Sequence, residues 1–455
     1  MRNKPFIFLL AVFVPLLAFA EGNVLTLEKA LSLALKNNIS LKRDMLVLNA
    51  SERASRHSWN SLLPSVTVSA IDDVELPDLK RPANYELENP DLKDEKTGKV
   101  FRNNIGLEGK VAVTLSSSYF ASKDKAKLDY DAARISYEES ISETLSQVKE
   151  KYFSLILEKQ NLEFLKENLE SAESQAKQNE VRYRKGTLSE MENLSSKATY
   201  EKLKSEFKAQ ENTYKSNLLS FLRFLGIELL SETQNAEKYS LSGTLEEFVE
   251  KYDSFFNENK KSELVQIINA GNTPAIINLK KQMEVAQKQV SIQRHNAFGP
   301  SLNLAYTVNP VFAGSDKGRV KQSAYIGISL PLENYLPFSK GADAIRDAQD
   351  KVDELSYSIK EKSQDMNADF SNIVENLVQK EESVSAFKGL VNLSQKNYDA
   401  VYYSYSKGMT EHLSLKTAAK EKLEAKLNLQ SEFLEMLKLY ISLEKISGIQ
   451  LPLEI

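Results

Sequence analysis

The apolar positions of this chain change period twice, and they do so in the same order in each half. From Leu27 they recur at helical spacing, through Leu31, Ala34, Leu35, Leu41, Met45 and Leu48, with Thr26 placed as N-cap. Pro64 ends this predicted helix, because proline disfavours helix at the residue before it. The period then becomes two. Val66, Val68 and Ala70 alternate with Ser65, Thr67 and Ser69; after a charged, proline-punctuated stretch from Asp72 to Phe101, read as a loop, Ile105, Leu107, Gly109, Val111, Val113 and Leu115 share one face. Strands are predicted near 64–74 and 103–118.

From Ser122 to Lys185 there is neither proline nor glycine, and Ile141, Val148, Leu155, Leu162, Leu169, Ala176 and Tyr183 recur every seventh residue. A sustained heptad predicts coiled-coil packing for a long helix over 122–185. Gly186 suits a left-handed C-cap and a reversal, after which a helix returns over 188–225.

The second half repeats the plan. A helix is expected to run from Pro274 to Phe298. Leu302, Leu304, Tyr306 and Val308 alternate with Ser301, Asn303, Ala305 and Thr307, and Ala324, Ile326, Ile328 and Leu330 alternate with Tyr325, Gly327 and Ser329. These predict strands near 300–311 and 322–332. A long helix is predicted over 340–407, with Phe370, Leu377, Val384, Val391, Tyr398 and Tyr405 as its heptad row, and a returning helix over 410–447. Tyr183-Arg184-Lys185-Gly186 comes back as Tyr405-Ser406-Lys407-Gly408, and Gly226-Ile227 as Gly448-Ile449, both 222 positions on. The chain therefore reads as two copies of one unit, 21–227 and 274–455, with 228–273 between them as a small lateral insertion. The long helices would span roughly 95 Å, and end-to-end stacking of the shorter ones beside them predicts a rod of about 100 Å.

Composition supports long helices and excludes several functions. Charged residues make up 27% of the chain, cysteine is absent, and glycine and proline are few. There can be no disulfide framework and no thiolate metal site or nucleophile. Arg2 and Lys4, the apolar run from Pro5 to Ala20 and the Ala18-Phe19-Ala20 ending predict a signal peptide over residues 1–20. Its removal takes the formal charge from -4 to -6, a poor balance for binding nucleic acid. No later run is long and apolar enough for a membrane helix. The strands, about ten residues long and apolar on one face, fit membrane β-strands and equally a soluble sheet over a core. Tyr119, Phe120, Tyr335 and Phe338, just past the second strand of each pair, suit a membrane-water aromatic belt. If the strands span a membrane, four cannot close a barrel, and their unsatisfied edges force a symmetric oligomer.

Several motifs together give a resemblance. Leu25-Thr26-Leu27-Glu28-Lys29-Ala30-Leu31-Ser32-Leu33-Ala34-Leu35-Lys36-Asn37-Asn38, Leu62-Leu63-Pro64-Ser65-Val66 and the two Tyr-x-Lys-Gly turns stand in the order found in the TolC-like outer-membrane efflux channel family. The chain resembles that family over nearly all of its mature length. The resemblance implies an α+β membrane protein: a homotrimer with one shared 12-stranded β-barrel in the outer membrane and a periplasmic α-barrel of coiled-coil helices. It implies a passive exit duct of a tripartite efflux or type I secretion system, with a periplasmic adaptor and an inner-membrane transporter as partners. The turns at Gly186, Thr187, Leu188 and Gly408, Met409, Thr410 would then form the periplasmic tip that meets the adaptor. Tyr183, Glu192, Tyr405 and Glu411 would be the candidates for an aperture gate. An ungapped alignment from the glycines sets Glu192 against Ser414, whereas a gapped one pairs it with Glu411, so the acidic gate is expected at Glu192 and left open at Glu411. Leu188 and Met409 are expected to be exposed for packing against adaptor hairpins.

No enzyme is expected. His57, His295 and His412 lie in separate segments without metal-ligand spacing, and no phosphate loop or nucleophile elbow occurs. Catalytic, cofactor-binding and metal-binding residues are therefore expected to be none. The rival readings are a periplasmic coiled-coil adaptor and an exported structural protein without a barrel. The duplicated hairpins oppose the first, and the four alternating strands oppose the second.

Overall fold

A computed structural model describes residues 23–75, 102–227, 239–256, 258–269, 271–314 and 317–449. The expected signal peptide and most of the loop expected over 72–101 lie outside the described residues. The chain divides into two compact units: residues 1–42, 140–270 and 366–455 form one, and 43–139 with 271–365 form the other.

The second of these units carries the sheet. Its strands are β2 (Ser65–Glu75), β3 (Arg102–Ser116), β5 (Ser301–Gly314) and β6 (Val320–Ser329), all antiparallel in the order β2-β3-β5-β6. Register turns the period-two pattern into continuous rows. Val66, Val111, Tyr306 and Ala324 lie side by side, as do Leu115, Leu302 and Ile328. The other face carries Thr67, Lys110, Thr307 and Ser323 in one row and Ser116, Ser301 and Ser329 in another. Hydrogen bonds cross that polar face: Thr114 Oγ1 donates to Asn303 Oδ1 at 3.0 Å, Asn303 Nδ2 to Ser329 Oγ at 3.1 Å, and the Ser301 and Ser329 hydroxyls meet at 2.7 Å. The apolar face carries one such bond, from the Tyr306 hydroxyl to Gln322 Oε1 at 3.0 Å, and much of its apolar surface is open. Val66 is 69% exposed and Ile328 74%. Among the described residues, β2 and β6 each present one unpaired edge. A bulge shifts the register between Ile105 and Gly106, and a Cβ on Gly106 would stand 2.4 Å from the Pro310 carbonyl oxygen.

The same unit holds α7 (Pro274–Phe298), with Pro274 in its first turn. Gly299 ends α7 where the chain enters β5. A Cβ there would fall 1.8 Å from Ser117 Oγ, which donates to the His295 carbonyl at 3.1 Å.

The other unit is built on long helices. α3 (Tyr119–Arg184) and α8 (Lys340–Ser406) each run through both units, while α4 (Glu190–Phe224) and α9 (His412–Ser447) return within this one. Val148, Leu155, Leu377 and Val384 of the heptad rows are buried in one core. The heptad seam is uneven at its end, where Tyr405 is 7% exposed and Tyr183 is 39% exposed.

Between the copies lie β4 (Tyr239–Leu241), α5 (Leu245–Phe255) and α6 (Glu258–Asn269). α5 begins in a reciprocal capping box between Thr244 and Glu247, and its Leu245, Phe248, Val249 and Tyr252 are buried. Tyr152 of α3 is fully buried against them, with Phe153, Phe221 and Phe248 packed around its ring. Its hydroxyl joins the Leu25 carbonyl at 2.8 Å and the Ser242 carbonyl at 2.9 Å. That one side chain thus bridges β4 to β1 (Asn23–Leu25), with which β4 pairs in parallel.

One expectation needs correction. The helix foreseen from Leu27 up to Pro64 is broken into α1 (Leu27–Asn37), α2 (Ile39–Arg56) and a 3-10 turn over Ser58–Leu62. Asn38 causes the first break. Its Oδ1 accepts from the amides of Ser40 and Leu41, and its Nδ2 donates to the Phe224 carbonyl at 2.9 Å, so a side chain replaces the helical ladder at that point. Gly226 seals the junction. Its φ is +76°, and a Cβ would stand 2.4 Å from the Asn37 carbonyl oxygen. Gly226→Ala is expected to cost more than about 2 kcal/mol, as left-handed strain and a backbone clash combine. Gly186→Ala, with open space around it, keeps only the strain of about 1 kcal/mol. Denaturant midpoints of the two variants check this order.

No described helix is long and apolar enough to cross a membrane.

Candidate functional site

The two Tyr-x-Lys-Gly segments form nearly identical reversals. After α3, the Gly186 amide donates to the Tyr183 carbonyl and the Thr187 amide to the Arg182 carbonyl, both at 2.9 Å. After α8, the Gly408 amide donates to Tyr405 and the Met409 amide to Ser404, again both at 2.9 Å. Both are Schellman closures on a glycine with positive φ, +71° at Gly186 and +74° at Gly408. The next helices begin the same number of residues later, at the N-caps Ser189 and Glu411. The turns therefore match without a gap. Glu192 corresponds to Ser414, and Glu411 corresponds to Ser189.

The caps themselves differ. Ser189 Oγ accepts from the Glu192 amide at 3.2 Å, and the Glu192 carboxylate accepts in return from the Ser189 amide and hydroxyl, so the candidate acidic residue is held in a capping box. Glu411 makes no side-chain cap. On the outer surface, Leu188 and Thr410 are half-buried, while Met409 is 76% exposed. Sequence reasoning had not singled out Met191 and Leu413. They sit at equivalent positions in the first turns of α4 and α9 and are 78% and 67% exposed. Their signal was available, since an apolar residue two past each N-cap repeats at the common offset.

Inside the turns lies a polar cluster. The buried Tyr405 hydroxyl is hydrogen-bonded to Asn179 Oδ1 of α3 at 2.8 Å, and the Arg182 guanidinium lies 5.7 Å over its ring. The His412 imidazole also packs against that tyrosine, with centroids 5.8 Å apart and the rings tilted by 54°. Asn179, Asn193 and His412 are all nearly fully buried. Burial, then the charge of Lys416, push the His412 pKa below its ordinary 6.5, against a smaller upward pull from Glu192. Tyr183, by contrast, stands on the surface. Ion pairs tie the first turn together from outside: Glu180 of α3 meets Arg184 at 2.7 Å and Lys197 of α4 at 3.6 Å, and the Arg184 hydrogen bond holds its carboxyl below the usual range. Among the described residues no group of three His, Asp or Glu side chains could hold a metal ion.

The duplicated helical hairpins and the four-stranded sheet agree with comparisons to known proteins. The model of the Outer membrane efflux protein family matches residues 30–226. The rest of the likeness is one of fold, and it takes in the second copy. The outer membrane channel CmeC of Campylobacter jejuni shares 16% identity at a TM-score of 0.69, over 93% of this chain and 85% of that one. The outer membrane protein VceC of Vibrio cholerae shares 14% at 0.67, over 93% and 96%. The outer membrane channel MtrE of Neisseria gonorrhoeae, solved in an open state, shares 15% at 0.63, over 93% and 88%. No curated protein matches the sequence significantly.

Proposed function

We propose that this protein is the outer-membrane channel of a tripartite efflux or type I secretion system, a passive duct through which small molecules or proteins leave the cell. The sheet is the observation that carries this reading. It has one uncovered apolar face, one hydrogen-bonded polar face and two open edges. A sheet of that kind is satisfied when neighbouring copies close the edges and lipid covers the apolar side. Three copies give the 12-stranded barrel of the family resemblance, with the polar rows lining the water-filled lumen and the helices in the periplasm.

The paired turns are the proposed periplasmic end of the duct. Gly186, Thr187, Leu188, Gly408, Met409 and Thr410 offer the contact for an adaptor, joined by the apolar Met191 and Leu413. Tyr183, Glu192, Tyr405 and Glu411 are the proposed gate, with unequal parts: Glu192 caps a helix, Tyr405 is part of the buried packing, and Tyr183 and Glu411 face outward. An inner-membrane transporter supplies the energy, because a duct has no chemistry of its own. Purified protein in planar lipid bilayers tests this. The reading expects discrete channel currents that rise when Ser189→Ala and Glu192→Ala together release the first turn. A protein that inserts and yields no current in either form contradicts it.

A further inference from the structure

The second tip turn contains a buried titratable group that the duct reading leaves unused. His412 is 5% exposed, and neither of its ring nitrogens has a hydrogen-bond partner. Asn179 Nδ2 and Asn193 Oδ1, on α3 and α4, are buried and unpartnered as well. A neutral imidazole tolerates this setting, whereas an imidazolium does not. Burying an unpaired charge is costly, and His412 is also the first residue of α9, where the helix dipole repels a cation. The groups around it are Lys416 of α9, Glu192 of α4, Tyr405 of α8, and Arg182 of α3, which also lies against the Tyr405 ring. Two of these are cations, and the one carboxylate, Glu192, is occupied in its capping box. The first turn carries Glu190 at the matching position, exposed to water.

We propose that His412 is an acid-released latch: neutral, it packs against Tyr405 and keeps the second tip turn closed; protonated, it leaves this packing and loosens that turn alone. The sign follows from linkage. A histidine whose folded pKa is depressed contributes stability fully present above pH 6.5, its ordinary value, and lost as the pH falls below it. If the duct reading holds, acid on the periplasmic side favours opening, and it does so through one of the two turns in each chain.

Hydrogen exchange of the full-length protein in detergent, corrected for the intrinsic effect of pH, reads the latch directly. Moving from about pH 7.5 to about pH 5.5 should reduce protection over 405–415 at least threefold, a conservative reading of linkage, and leave 183–193 unchanged. His412→Phe, which keeps the ring packing, should abolish the response, and His412→Gln should do so even if its packing is looser throughout. An undiminished acid response in both variants, or equal loosening of both turns in the wild type, overturns the latch. Bilayer currents recorded in parallel separate the two readings. Acid loosening that depends on His412 but leaves the current unchanged supports the latch and shows that it does not gate the duct, whereas the absence of any current counts against the duct alone.

Discussion

Lys149→Met is expected to destabilise the protein by about 3–5 kcal/mol, the usual cost of leaving one buried charge without its partner. Lys149 of α3 and Glu444 of α9 are each 3% exposed, and their Nζ and Oε2 atoms lie 2.6 Å apart. The pair fastens the two helices next to α5. Tyr252 of α5 reaches the same carboxylate at 3.4 Å, and its phenol pKa is raised first by burial and then by Glu444. Tyr440, one turn before Glu444, is hydrogen-bonded to Asp253 and stacks on Tyr252 at 5.3 Å. Once Lys149 is gone, the carboxylate stays enclosed by this aromatic wall. Replacing both partners, Lys149→Met with Glu444→Met, removes the charge from each side and should recover more than half of the loss. Denaturant midpoints of the two single variants and the double variant measure the difference. Equal destabilisation in single and double variants would show that packing volume, rather than the orphaned charge, sets the cost.

The second large effect concerns the sheet. Val111→Arg should prevent assembly into the membrane, whereas Ser323→Arg should be tolerated. Val111 stands mid-strand in the apolar row with Val66, Tyr306 and Ala324. An arginine on a lipid-facing position costs about 2–4 kcal/mol near the bilayer midplane, and a symmetric barrel takes that cost once per chain. Ser323 lies on the face where Lys110 is already accommodated, two strands away in the same row. Membrane-fractionation yields of the two variants provide the comparison. Equal assembly of both would remove the distinction between lipid and lumen faces on which the barrel rests.

Much of this fold was legible in the sequence, because periodicity reports directly on it. The alternation around Val66, Val111 and Leu304 has a fixed period of two, so its face assignment followed without knowledge of the pairing. The rows Val148–Leu155 and Leu377–Val384 likewise marked the helical core. Features that depend on one contact left no period to read. β1 and β4 are three residues each and exist through the Tyr152 hydroxyl and mutual pairing. Asn38 looked like one more polar position on a helix, yet its amide reaches Phe224, 186 residues away. Lys149 and Glu444 resembled the solvated charges of any coiled coil.

The tip region divides in the same way. The glycines announced the turns by their repetition, and the ungapped match of Ser189 with Glu411 decided the alignment that the sequence had left open. The polar cluster carried a weaker trace. Asn179 is three residues past Ala176 and four before Tyr183, on the apolar stripe, where a polar residue signals a specific partner. That partner, Tyr405, belongs to the other copy, 226 residues on. The unequal burial of Tyr183 and Tyr405 could not be read from identical motifs, because it arises from what packs against each.

The central claim is that this chain is one part of a shared membrane barrel. Native mass spectrometry of protein extracted from outer membranes in detergent tests it most directly. The account predicts an assembly of three copies that heat separates into single chains. Single copies recovered from the soluble fraction, with no membrane-bound oligomer, would contradict it.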